Sequence, residues 1–384
     1  MPNFSGVWNL KDQVQAIAAG RWTGIPLYEL YSWGLGTSGQ LGDGTIVNKS
    51  SPVQIGSLTN WAQVSLGTNH AASTKTDGTL WTWGGNSNGQ LGDGTVVSRS
   101  SPVQVGALTN WAQVSGGYDQ TAAVKIDGTL WSWGLNFYGR LGDGTVTPRS
   151  SPVQIGALTN WARVSVGGPF VAAIKTDGTM WTWGRNNYGQ LGQGTVTNRS
   201  SPVQVGGLTN WERASSCAFM MAAVKTDGTL WTWGSAGFGR LGHNSLIDRS
   251  SPVQVGALTN WSQVDGGRNH CASVKTDGTM WGWGGNAFGQ LGLNYTINRS
   301  SPVQVGSLTN WSQVQCSSYQ TFSIKTDGTL WTWGRNQDGS AGVGNSSSMS
   351  SPVQIGALTS WYQVSAGGAG AGNTAAAILQ GATN

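Results

Sequence analysis

The pentapeptide SSPVQ begins at positions 51, 101, 151, 201, 251, 301 and 351, always fifty residues apart. A Trp-Gly pair keeps the same step, with Trp at 33, 83, 133, 183, 233, 283 and 333. So does a third tryptophan series, Trp61, Trp111, Trp161, Trp211, Trp261, Trp311 and Trp361. Of the 22 tryptophans only Trp8 and Trp22, ahead of the first unit, fall outside the repeat. A period this long and this regular means an array of small supersecondary units, each of which buries its apolar face on its neighbours.

One unit reads as four short strands. WAQVS (61–65) alternates and makes strand A; AASTK (71–75) makes strand B. TDGT (76–79) carries Asp-Gly, the strongest short hairpin signal, and LWTWG (80–84) then makes strand C. Period-two alternation puts Trp81 and Trp83 on one face. PVQI (52–55) is the D strand of the preceding unit, and its proline suits an outer edge, where a missing N–H costs little. Four antiparallel strands repeated at this period describe a propeller blade. Only 10% of residues are charged while Gly (60) is abundant, which excludes coiled coil and disorder and suits turn-dense all-β structure.

WGGNSNGQLGDGT (83–95), followed by SPVQV and, in two units, by G-x-N-H before strand B, resembles the regulator-of-chromosome-condensation repeat. The string recurs with graded decay over 27–384, and kelch and WD signatures are absent. The resemblance implies a seven-bladed propeller. The ends fit a closed ring. The last unit supplies WYQVS and AAAIL (375–379) and stops, whereas the first opens with LYELYSWG (27–34), a C strand without A and B partners. Pairing the two removes two open sheet edges. The expected architecture is therefore all-β, a seven-bladed propeller of four-stranded blades over 27–384, closed by N- and C-terminal strands. Residues 1–26 form a short helical extension.

Within each unit one half is fixed and the other varies. Antiparallel strands put the B–C and D–A connections on one face of the disc and the A–B and C–D connections on the other. The first face is nearly constant: KTDGT in five units, KIDGT in one, then GALTNW or a near copy. The A–B loops instead read LGTNH, GGYDQ, VGGPF, SCAFM, GGRNH and CSSYQ, and the C–D loops begin GNSN, LNFY, RNNY, SAGF, GNAF and RNQD. Drift among duplicated loops produces such variation too, but the constant face is also made of turns and has not drifted. Aromatic residues on a rigid scaffold are what a recognition surface uses. The expected binding face comprises Tyr118, Asp119, Phe137, Tyr138, Phe170, Arg185, Tyr188, Phe219, Met220, Phe238, Arg268, Asn269, His270, Phe288, Tyr319 and Arg335.

No catalytic constellation is present: there is no G-x-S-x-G, P-loop or H-E-x-x-H. His70 and His270 stand at equivalent positions in distant units, and no carboxylate or thiol joins them in a metal set. Cys217, Cys271 and Cys316 lie near the A–B loops of consecutive units; these loops are expected to diverge, leaving three small buried thiols. GDGT offers one Asp per loop, too few for calcium, and reads as a turn. No cofactor or metal is expected. Lys49 and Arg99, Arg149, Arg199, Arg249 and Arg299 recur before SSP and are expected to bond carbonyls of their own C–D loop. Lys75 and its equivalents sit two residues from an Asp that offsets them. Arg140, Arg185, Arg240, Arg268 and Arg335 belong to the variable face and would favour an acidic partner. The net charge of +5 does not by itself argue for nucleic acid.

Ahead of the ring, Asn9 can cap a helix in which Leu10, Val14 and Ile17 form one stripe and Gly20 ends it. SGVWNLKDQVQAIAAGRW also resembles the opening of many structural proteins of marine bacteriophages, through Gly6, Val7, Trp8, Leu10, Gly20 and Trp22. That resemblance implies a virion component made in the host cytoplasm. Trp8, Leu10, Val14, Ile17 and Trp22 would form the anchor to other virion proteins, and the variable face would meet a host surface protein or glycan. A plug that packs on the propeller is the plainer use of this segment. The start carries no secretory signal of the usual kind, and no apolar run is long enough to span a bilayer. The alternative is a bacterial protein-binding propeller, cytoplasmic or secreted. The repeat family includes a nucleotide exchange factor for a small GTPase, a secreted bacterial β-lactamase inhibitor and a plant ultraviolet photoreceptor. No unit here carries an insertion matching the exchange factor's wedge, and the A–B loops hold no tryptophan for photoreception. An enzyme inhibitor needs only a suitable face.

Overall fold

The computed structural model describes residues 27–367 and 373–381. Seven four-stranded antiparallel sheets make up these residues. In blade 1, strand A is Trp61–Leu66, B is His70–Lys75, C is Leu80–Gly84 and D is Arg99–Gln104. Blades 2 to 6 repeat this arrangement at fifty-residue steps, ending at Met349–Gln354. The seventh blade is composite. Tyr28–Gly34 and Lys49–Gln54 supply strands C and D, and Trp361–Ala366 and Thr374–Gln380 supply A and B. Seven consecutive register pairs, from Tyr28–Gln380 to Gly34–Thr374, join the two ends. The expected propeller and its closure are both present. The proposed helix over 10–20, and the anchor residues on it, lie outside the described residues.

The core lies between neighbouring blades. Trp61, Val64, Leu66 and Trp83 of blade 1 pack on Leu30, Ile55, Ala376 and Ile378 of the closing blade. Trp61 and Trp83 meet edge to face, with centroids 6.1 Å apart, the arrangement the ring quadrupole favours. The Trp83 indole N–H donates to the Gln40 carbonyl of the preceding blade (3.0 Å), and Trp133, Trp183, Trp233 and Trp283 make the equivalent bond, so in blades 1 to 5 the second tryptophan of W-x-W-G is both filler and cross-blade tie.

The B–C turn explains D-G-T-L-W residue by residue. Asp77 Oδ1 accepts from the Thr79 N–H (2.9 Å) and hydroxyl (2.6 Å), and Thr79 Oγ1 accepts from the Trp81 indole (2.9 Å). Gly78 takes φ of +77°, and a Cβ there would strike the Thr109 carbonyl of the D–A link. Lys75 Nζ sits 3.7 Å from the Trp81 ring centroid and 4.7 Å from that of Trp61. The lysine is held in a tryptophan pair as a cation–π contact as well as lying near Asp77. Residue 76 makes only a backbone bond here, which is why Ile126 replaces threonine in blade 2 without altering the turn.

Candidate functional site: the loop face

A–B and C–D connections touch each other, as when Gly85 N–H donates to the Asn69 carbonyl (2.7 Å). B–C and D–A connections do the same on the opposite face, through Thr76 N–H to Asn60 O (2.9 Å). The constant and variable halves of the repeat therefore fall on opposite faces of the disc.

On the variable face a continuous row runs across blades 2 to 4. Arg185 Cζ lies 5.4 Å from the Tyr138 ring and 5.9 Å from that of Tyr188. Tyr188 meets Phe219 edge to face at 5.8 Å. Arg240 Cζ follows, 5.4 Å from Phe219 and 5.7 Å from Phe238. A second group joins blades 5 and 6: Phe288 and Tyr319 at 5.2 Å, with Arg335 Cζ 5.7 and 5.8 Å from their rings. Between the rows, the Tyr118 hydroxyl is pushed up by burial against the opposing fields of Arg268, Arg140 and Arg185. Burial likewise raises the Asp119 carboxyl, with Arg140 opposing. Asn269 is half-buried and receives Gly285 N–H on its carbonyl. Of the expected face aromatics, Phe137 (61% exposed) and Phe238 (52%) stand out most.

Three expected face residues are not on the surface. Phe170 (0% exposed), Met220 (1%) and His270 (1%) are the first residues of their B strands, paired with Gly184, Gly234 and Gly284. Strand B starts one residue earlier than the alternation suggests, and that residue turns inward. His270 Nε2 meets Thr321 Oγ1 of the next blade at 3.0 Å, as His70 meets Thr121 at 2.9 Å. Each threonine hydroxyl donates to the carbonyl of Gln290 or Gln90 (2.8 Å), so the imidazole is the donor and carries its proton on Nε2. Burial brings the His70 imidazole down to about 4 and the His270 imidazole to about 3. Both are neutral staples between blades.

Arg140 and Arg240 are also buried, at 4% and 5% exposure, not solvated face charges. They replace the glutamine of G-Q-L-G, and the replacement reshapes the loop. In the glutamine blades the side-chain Oε1 accepts the N–H of the residue two before it, as Gln190 does from Tyr188 (2.9 Å) and Gln290 from Phe288 (2.9 Å). Arginine has no acceptor. Its Nε donates instead to the Phe137 or Gly237 carbonyl (3.0 and 2.8 Å). The loop becomes a short 3₁₀ turn, with Tyr138 at φ +67° and Phe238 at +62°. This is the left-handed region that bulky residues avoid, so the Gln-to-Arg exchange is what re-aims these two rings.

Except at Arg249, whose Nε is buried without a hydrogen-bond partner, the recurrent cation before SSP bonds a side chain, not carbonyls. Arg99 and Arg149 pair with Asp93 and Asp143 (3.0 and 2.9 Å), and Lys49 with Asp43 (3.4 Å). The same Asp closes the GDGT turn, since Asp93 Oδ1 accepts Thr95 N–H (3.0 Å). Where Asp is lost, Arg199 bonds Gln193 (3.2 Å) and Arg299 the Tyr295 hydroxyl (2.9 Å). The three cysteines are free and buried, but their loops do not diverge, because the A strands line the ring axis. Cys271 Sγ is 3.6 Å from Met220 Sδ of the neighbouring blade, and a Cβ on Gly266 would collide with Cys217 Sγ. Among the described residues no group of three or more His, Cys, Asp or Glu is placed to hold a metal ion. Among the described residues no helix is long and apolar enough to cross a membrane.

The chain matches the regulator of chromosome condensation (RCC1) repeat model over residues 29–73, 77–124, 127–174, 177–223, 227–274, 277–324 and 327–371. No curated protein matches it. Among solved structures it is similar to yeast RCC1 (Prp20) bound to Kap60, with TM-score 0.83 at 16% identity, covering 94% of this chain and 90% of that one. It is similar to Prp20p of Saccharomyces cerevisiae, described with its binding to Gsp1p and histones, with TM-score 0.82 at 17% identity over 94% and 93%. Human WBSCR16 matches with TM-score 0.82 at 19% identity over 92% and 99%. At these identities the likeness concerns the fold. With seven matched repeats forming seven blades, the chain belongs to the RCC1 repeat family.

Proposed function

We propose that the protein is a non-enzymatic binding propeller, that its variable face meets the partner, and that it serves as a component of a bacteriophage particle attached through residues 1–26. The observation that carries the binding role is the arginine–aromatic row from Tyr138 to Phe238. It combines the residue types that dominate binding energy with a backbone held rigid by the blades beneath. Burying such a row costs little side-chain entropy, because neighbouring rings already restrict each rotamer. Arg185, the partly exposed arginine set between the Tyr138 and Tyr188 rings, suits a host surface protein with acidic groups or an acidic glycan. The particle role rests on the G-V-W-x-L opening of the chain.

Removing residues 1–22 tests the attachment. The ring is expected to stay folded and particle incorporation to be lost; assembly of the truncated protein contradicts the anchor. A second reading, a GTPase-regulator-like module, draws on the RCC1 repeats and on the likeness to Prp20p, a protein described with its binding to Gsp1p. Accelerated nucleotide release from a small GTPase on addition of the full chain would favour that reading over the particle one.

A further inference from the structure

The A strands line a polar central channel of about 410 Å³. Its blades are tied together there by one recurring device. The third residue of strand A is Gln63, Gln113, Gln263, Gln313 or Gln363; in four of these the amide Oε1 accepts a valine N–H of the next blade, and Gln313 instead donates to the Tyr362 carbonyl (2.7 Å). Gln63 Oε1 accepts Val114 N–H (3.0 Å) while its Nε2 donates to the Val114 carbonyl (3.2 Å). Gln113 does the same at Val164 (2.9 and 3.0 Å), and Gln363 at Val64 (3.0 and 3.3 Å). Gln263 accepts from Val314 N–H (3.2 Å).

Blades 3 and 4 break this rule. Their third residues are Arg163 and Arg213, both lining the channel. A guanidinium only donates, so the N–H groups of Ala214 and Val264 lose the side-chain acceptor that Val64, Val114, Val164 and Val314 have at the equivalent position. Arg213 Nε is buried without a hydrogen-bond partner; the nearest carboxylate, Glu212, is an ion-pair contact at 3.8 Å. Asp265 also lines the channel, but its oxygens are engaged by the Ser215 hydroxyl and the Cys316 N–H (2.6 Å each). One sector of the channel thus carries arginines from two adjacent blades, Arg163 exposed and Arg213 partly so, beside two backbone donors that no glutamine amide meets.

We infer that this sector binds a phosphate-class oxyanion, held between Arg163 and Arg213 and capped by the Ala214 and Val264 N–H groups. A tetrahedral oxyanion supplies the acceptors that the two exchanges took away, and paired guanidiniums match its geometry. The site is separate from the loop face, because position three lies in the half of strand A that follows the constant D–A link, and the A–B loop leaves from the other end.

Isothermal titration of the full chain with inorganic phosphate, in chloride buffer of matched ionic strength, tests this. Binding is expected for the native protein and for R185Q/R335Q, which changes only the loop face. In R163Q/R213Q, which restores the glutamine used by the other five blades, affinity is expected to fall at least tenfold. Thermal unfolding checks that this variant is folded, and its midpoint should no longer rise with phosphate. Phenyl phosphate distinguishes the source: tighter binding than phosphate identifies a phosphoryl group on a larger molecule, equal binding a free ion. The same phosphate affinity in R163Q/R213Q as in the native chain, or no binding by either probe, overturns the proposal.

Discussion

His70 and His270 show how one side chain in a repeat can turn from surface candidate to structural tie. Each is buried, neutral and bonded to a threonine one blade away. Their folded pKa values, about 4 and about 3, lie below the unfolded value of about 6.5. The unfolded chain therefore takes up protons that the native chain refuses, and stability present above pH 6.5 is lost as pH falls. The loss is roughly 2 kcal/mol per imidazole between pH 7 and 5. Asp265, raised to about 6 by burial, acts in the opposite sense, since its native form binds the extra proton; it offsets about 1 kcal/mol of this. Urea unfolding at pH 7 and 5 should show the net decline, and H70Q/H270Q should flatten it. An equal decline in that variant would assign the effect to other groups. The sequence placed these histidines in loops because strand alternation fixes a boundary only to within a residue. It also paired Lys75 with Asp77 by proximity along the chain; the tryptophan pair around the ammonium became visible only once strands A and C lay side by side.

The C–D loop is the element in which a single exchange changes conformation. Its Asn anchor is constant in most blades: Asn86 Oδ1 accepts Leu91 N–H (2.9 Å) while its amide donates to the carbonyls of Thr95 and Val97 (3.1 Å each). The tip between Asn and Leu follows the G-Q-L-G or G-R-L-G residue. In R140Q the restored acceptor should capture the Tyr138 N–H, bring Tyr138 to negative φ and draw its ring away from Arg185. A crystal structure of R140Q checks this, and Tyr138 remaining at φ near +67° would refute the mechanism. The strands, the Asp-Gly turn and the division into two faces were legible in the sequence because each rests on a local pattern. The loop inversion was not, because it depends on what an arginine cannot accept. The glutamine clamps were not either, since they join residues fifty-one apart or, at the ring closure, 299 apart.

Seven blades make a closed ring only because one of them is completed by strands from both ends of the described chain. Thr374–Gln380 pairs on one side with Tyr28–Gly34 and on the other with Trp361–Ala366, so its removal opens the ring and strips Ile378 and Leu379 from two interblade cores. Deleting residues 374–384 should lower the thermal midpoint by more than 10 °C or give insoluble protein, whereas replacing exposed loop aromatics should shift it by about a degree or less. Calorimetry of both variants compares the two directly. That contrast follows from the division of labour across the disc, in which the constant face and the cores make the fold and the variable face is left free to recognise. The most direct test is binding of the purified, labelled propeller to intact bacterial cells, measured for the native chain, for a face variant with Tyr138, Arg185, Tyr188, Phe219 and Phe238 changed to Ala, and for a variant altered at the exposed Leu58 and Leu108 of the constant face. Saturable binding that falls at least tenfold in the face variant and is unchanged in the constant-face variant is the predicted result. Equal binding by the native chain and the face variant, with both folded, would contradict it.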